Sequence, residues 1–220
     1  MFPRSNSVVL RIAASGVIVV AACALIAPVA LAFHHHLTSE QVRAAYFIGR
    51  DQNGGDAFLA AYTRAPQQPN TGPNVQSIEF WTPYERIAAR ARDNWRSNYF
   101  PPDAEQDYAV DPIHEVIVRV LIFETYTFSF PPGDEDSPES QARLFKYRVS
   151  QDGRELPPDD LTAQPDNSLI SGSGLPSFAG IDVHLHFDVS RFHSSAPVTV
   201  EVIAPTGQTY SATFDLASLQ

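Results

Sequence analysis

Ile181-Asp182-Val183-His184-Leu185-His186-Phe187-Asp188-Val189 alternates apolar and polar residues without a break. Successive side chains of a strand point to opposite faces, so this spacing predicts a strand with one face in a core and Asp182, His184, His186 and Asp188 on the other. The same period recurs on both sides of it. Val116, Val118, Val120 and Ile122 share a face, and the pattern resumes past Glu124 through Tyr126, Phe128 and Phe130. Phe145, Tyr147 and Val149 alternate up to the turn pair Asp152-Gly153. Val198, Val200 and Val202 run into Pro205-Thr206-Gly207, from which Tyr210, Ala212, Phe214 and Leu216 return as a hairpin. Seven or eight short strands without long helices between them predict a mostly β chain, an immunoglobulin-like antiparallel β-sandwich with its core over residues 112–220. Pro157 to Ser177, rich in Pro, Gly, Ser and Asp, reads as a loop too long to be a mere connector, with either a function or disorder.

Residues 33–111 read as a helical preamble with one strand, part of the same domain and packed on the sandwich. Thr38-Ser39-Glu40-Gln41 has the spacing of a capping box and predicts a helix near Ser39 to Arg50. Asp51 to Asp56 breaks it, and Ala57 to Tyr62 looks like a second short helix. Val75 to Trp81 reads as a strand. Thr82-Pro83-Tyr84-Glu85 then places Thr at the N-cap, Pro at the first helical position and Glu at the third. Tyr84, Ile87, Ala88, Ala91 and Trp95 form one stripe, which predicts that this helix lies against the sheet. Asp103 to Tyr108 adds a further short helix.

The chain opens with an export pattern over residues 1–32. Arg4 and Arg11 precede the apolar run Ile12 to Ala27, and the small residues Ala30 and Ala32 suit cleavage by a signal peptidase. Two other fates fit the same stretch. Ile12 to Phe33 carries no charge and is long enough to stay as a membrane anchor, and Val20-Ala21-Ala22-Cys23 resembles a lipoprotein box. Cys23 is the only cysteine, so the domain is stabilised without disulfides. The net charge is −10, from 15 basic and 25 acidic residues. That balance disfavours nucleic acid, whose phosphates need a basic surface.

Leu37-Thr38-Ser39-Glu40-Gln41-Val42-Arg43-Ala44-Ala45-Tyr46-Phe47-Ile48-Gly49, the Thr82-Pro83-Tyr84-Glu85 helix start and Ala104-Glu105-Gln106-Asp107-Tyr108 resemble segments of uncharacterised exported bacterial proteins. The resemblance spans the preamble best. It implies an envelope location, periplasmic or secreted, and carries over no activity and no site residues.

Three groups of residues suggest chemistry. His184 and His186, two apart on a strand, point the same way about 7 Å apart, a spacing that suits Zn²⁺ or Cu²⁺ with Asp182, Asp188 or His193 completing the set. The same pattern is also what a strand showing its wet side to solvent displays. Cleavage after Ala32 would leave Phe33-His34-His35-His36 as the amino terminus, and a third-position His35 with a free amine chelates Cu(II); a frayed polar start is the plainer alternative. Arg86, Arg90, Arg92 and Arg96 lie on one helix beside Trp95, a pattern that fits an anion or glycan, or local acids. Gly133-Asp134-Glu135-Asp136 is an acidic loop that would hold Ca²⁺ only loosely.

Other chemistries lack their signatures. Ser173 has glycine neighbours, but Ser171 and Leu175 occupy the places where a nucleophile elbow needs glycine. Asp51 to Tyr62 lacks the Gly and Glu of a calcium loop, and neither a phosphate-cradling loop nor a paired-cysteine zinc motif occurs. The expectation is therefore an exported, non-catalytic envelope or secreted module. Its partner is an envelope protein or polysaccharide, and any membrane contact runs through residues 12–33 if they are retained. Metal binding through His184, His186 and His193, or glycan binding through the Arg86/Arg90 helix, are the alternatives.

Overall fold

Strand formation follows the alternating segments. In the computed structural model, which describes residues 33–67, 73–98, 108–109, 112–123, 137–166 and 180–219, nine strands, four α-helices and one short 3-10 helix (Val189–Arg191) are present among the described residues. They run α1 (Ser39–Arg50), α2 (Gly55–Ala60), β1 (Thr63–Arg64), β2 (Asn74–Trp81), α3 (Pro83–Arg96), β3 (Glu115–Phe123), α4 (Pro138–Ala142), β4 (Lys146–Gln151), β5 (Arg154–Glu155), β6 (Asp160–Asp166), β7 (Gly180–Asp188), β8 (Pro197–Ile203) and β9 (Thr209–Asp215). The export segment with Cys23, the strand continuation through Tyr126, Phe128 and Phe130, and the Gly133–Asp136 loop lie outside the described residues. So does most of the helix expected over Asp103 to Tyr108. Among the described residues no helix is long and apolar enough to cross a membrane.

The strands form two antiparallel sheets, ordered β1-β2-β3-β7-β6 and β5-β4-β8-β9. Setting the two-residue β1 aside, β2-β3-β7-β6 against β4-β8-β9 is the A-B-E-D and C-F-G arrangement of immunoglobulin-like sandwiches, with β5 as a short added edge. The inward residues of both sheets merge into one core. Val118, Val120, Val183 and Leu185 from the first meet Val198, Val200, Val202 and Phe214 from the second. Phe80, Phe187, Phe192 and Phe214 stack within it, with ring centroids 5.4–5.6 Å apart. Each such pair contributes about 0.5–1.5 kcal/mol beyond its buried area, an increment on the burial of apolar side chains that holds this core.

Three expectations are corrected. Within the stretch read as a loop, Asp160–Asp166 is a strand; it forms the sheet's edge, where Pro165 interrupts no interior ladder. The stripe of α3 packs on α1 rather than on the sheet. Tyr84 and Ile87 cluster with Val42 and Ala45, and Gly49 lets the helices approach until a Cβ there would lie 2.0 Å from the Ala88 carbonyl oxygen. Phe58 touches both this cluster and the sandwich core, and the first turn of α3 reaches the sheet's outer face through the bond from Arg86 to Glu115. Nor is the segment after residue 32 frayed. Phe33 is 2% exposed within the core and its N–H donates to the Leu216 carbonyl over 3.3 Å.

Helix starts follow their caps. Thr38 and Gln41 form a complete capping box, and the Thr82 hydroxyl accepts from the Glu85 N–H at 3.1 Å. The Asp152-Gly153 turn uses positive φ at both residues, +52° and +73°, as a tight hairpin requires.

Candidate functional site

Antiparallel register assembles the outer face of the first sheet in rows: Glu79-Arg119-His184-Thr162, and beside it Trp81-Ile117-His186-Asp160. Polar contacts run along a row between Arg119 and Glu79, and diagonally between rows elsewhere. Arg119 grips Asp182 with two parallel bonds, Nε–Oδ1 at 2.8 Å and Nη2–Oδ2 at 2.9 Å, while its Nη1 reaches Glu79 at 3.1 Å. The Trp81 ring lies under the guanidinium, 5.3 Å from centroid to Cζ, and its Nε1 donates to Glu79 at 2.9 Å. Asp182 is 5% exposed. Burial works to raise its pKa, but His184 and Arg119 outweigh this and hold the carboxyl well below the usual carboxylate range. His184 Nε2 lies 3.2 Å from Asp182 Oδ1 but is not aligned with it as a hydrogen bond.

His186 heads a second chain. Its Nδ1 is 3.0 Å from Glu115 Oε2, its Nε2 is 3.1 Å from the Thr162 hydroxyl, and Arg86 donates to Glu115 Oε1 at 2.8 Å. Partial burial works to raise the Glu115 pKa, yet the bonds from His186 and Arg86 hold it below the ordinary value. The start of β3, the start of β6, the end of β7 and the first turn of α3 all lie at this end of the sheet. Between them is a groove of about 530 Å³, lined by Arg86, His114, Glu115, Asp160, His186 and Asp188 among others.

Glu85 stands between the two chains. It is 4% exposed, and its Oε2 has no hydrogen-bond partner among the described residues. Burial, helped by the Glu79 charge, pushes its pKa up to about 8 against the opposing Arg86 and Arg119. A raised carboxyl favours the fold fully below about pH 4.5, and that contribution is lost as pH rises through about 8. Glu85→Gln is therefore expected to match the parent near pH 4 and to exceed its stability by roughly 1–4 kcal/mol near pH 9, read from urea titrations at both values. A difference independent of pH would show that Glu85 is charged throughout.

The expected groups are dispersed in part. Asp182, His184 and His186 share one face, with the two rings 6.3 Å apart, whereas His193 is exposed and bound by its backbone to the Gln151 side chain of the other sheet. Asp188 caps the short helical turn after β7 through Ser190. Among the described residues no three His, Cys, Asp or Glu converge as a metal site. His34 is exposed, His35 Nε2 bonds the Phe192 carbonyl at 2.8 Å, and the His36 ring meets that of His114. Square-planar chelation at the terminus would have to release both Phe33 from Leu216 and the nearby docking of His35.

The arginine helix divides similarly. Arg92, 6% exposed, clamps Asp56 with two bonds and the carbonyls of Asp51 and Gln52; Arg96 also pairs with Asp56. Arg90 is exposed, Trp95 takes a cation–π contact from Arg50, and Arg86 alone of the four lines the groove. The sequence reading missed Glu79, Glu115, Arg119 and Thr162. Arg119 and Glu115 had one signal, as polar residues on the outward beat of an otherwise apolar strand. Compared with known proteins, the chain matches no protein-family model, and no curated protein matches it.

Proposed function

We propose that the protein is an exported envelope or secreted module whose sandwich carries a binding groove for a polyhydroxylated ligand, an envelope polysaccharide. The observation that carries this reading is the groove of about 530 Å³ where Arg86, Glu115, Asp160 and His186 converge from four elements. That volume lies within the common range for ligand pockets. Planar carboxylates and a guanidinium, alternating at close quarters, complement the paired hydroxyls of a sugar by giving donors and acceptors together. The excess of acids over Arg86 selects against anionic polymers, as does the net charge of −10. The export pattern and the resemblance to exported proteins support the location.

Retention on insoluble envelope polysaccharide tests this. Glu115→Gln and Asp160→Asn each remove a charged hydrogen-bonding group and are expected to weaken retention roughly 10-fold or more. Asp215→Asn, on the other sheet, is expected to change nothing. Retention unaltered by the groove substitutions would overturn the reading.

A further inference from the structure

The donors of this chain converge on Glu115: Thr162 can donate to His186 and His186 to Glu115, while Arg86 donates to Glu115 from the other side. Glu115 only accepts, so the 3.0 Å contact places a proton on His186 Nδ1, and the ring's Nε2 is left to accept from the Thr162 hydroxyl at 3.1 Å. Arg86 fixes the far carboxylate oxygen of Glu115 at 2.8 Å. A hydroxyl, an imidazole and an oriented carboxylate within hydrogen-bond reach in this order are the parts of a hydroxyl-nucleophile relay. Thr162 is exposed on an edge strand, two residues along the same face from Asp160, and His186, Glu115 and Asp160 line the groove.

We infer that the relay at the edge of this groove is an acyl-transfer site, in which Thr162, beside the lining residues rather than among them, is the nucleophile, His186 the base, and Glu115 and Arg86 the positioning residues, acting on a carboxylic ester of a polyol such as an O-acylated sugar. The inference rests on the reading of the groove as the ligand site. Thr162 Oγ1 forms a bond to the ester carbonyl carbon as its proton passes to His186 Nε2. The tetrahedral adduct collapses, the bond to the polyol oxygen breaks, and His186 returns the proton to that oxygen, releasing the alcohol and leaving the acyl group on Thr162. Water, deprotonated by His186, then releases the carboxylic acid and restores the hydroxyl. Acid–base help of this kind accelerates a reaction roughly 10²–10⁴-fold.

The purified protein is assayed with p-nitrophenyl acetate, and quenched samples are analysed by peptide mass spectrometry. The expected result is hydrolysis above buffer with one acetyl group on Thr162, lost about 100-fold in Thr162→Val and His186→Gln and kept in Thr162→Ser. Glu115→Gln is expected to lower kcat and to move the acid limb of its pH–rate profile to lower pH, a displacement that a smaller folded fraction, which lowers kcat equally at every pH, would not produce. Thr162→Val is isosteric at an exposed position, so its fold should survive. No hydrolysis by the parent, or hydrolysis that survives in Thr162→Val, overturns the inference. Polysaccharide retention by the same samples separates the two claims: retention without hydrolysis removes the chemistry alone, and loss of both removes the groove reading as well.

Discussion

Arg119→Ala is expected to lower stability by roughly 2–4 kcal/mol at pH 7, a fall in melting temperature of about 5–15 °C for a chain of this size. Arg119 is shared by Asp182 and Glu79, and its removal leaves two carboxylates facing each other across β3 with little access to water. Breaking a fully buried pair costs about 3–5 kcal/mol; the lower figure reflects the 24% exposure of the Arg119 side chain. The loss should depend on pH. A carboxyl whose pKa is depressed by folding adds stability above its unfolded value, near pH 4, and that stability disappears as pH falls through the folded value. The gap between parent and variant is therefore widest at neutral pH and narrows in acid. Equal losses at pH 3 and pH 7 would show that Arg119 contributes packing alone.

Gly49→Ala is expected to destabilise by roughly 2–4 kcal/mol, although alanine is the better helix former by about 1 kcal/mol. The added Cβ would lie 2.0 Å from the Ala88 carbonyl oxygen and 2.9 Å from the Ala91 Cβ. Both are parts of a helix that cannot rotate out of the way. The helices α1 and α3 must separate, which opens the Val42, Ala45, Tyr84 and Ile87 cluster to water. A lowered urea midpoint checks this, while an unchanged or raised midpoint would mean that the two helices are not held together at Gly49.

What could be read in advance was what short-range chemistry decides. Thr38 to Gln41 specifies a box and α1 begins at Ser39; the alternation from Ile181 places β7; Pro205-Thr206-Gly207 turns β8 into β9. What escaped was decided by register between distant segments. Arg119 and Asp182 are 63 residues apart, and nothing near either announces the other. His184 and His186 were legible as neighbours on one face, but their partners Glu115 and Thr162 come from β3 and β6. β6 itself was hidden, since its Pro and Asp content is that of a loop and only an edge position tolerates it. The stripe on α3 was correctly apolar, with Tyr84, Ile87, Ala88 and Ala91 buried, but a stripe does not name what covers it. Gly49, a weak helix former, was the sign that another helix comes close.

The groove where β3, β6, β7 and α3 meet is the centre of this account. Backbone NMR shifts recorded while soluble fragments of envelope polysaccharide are added test it most directly. The account predicts saturable shifts concentrated at Arg86, His114, Glu115, Asp160 and His186. Shifts confined to the outer face of the other sheet, at Arg148, Thr199 and Thr213, would contradict it, as would a spectrum unchanged throughout the titration.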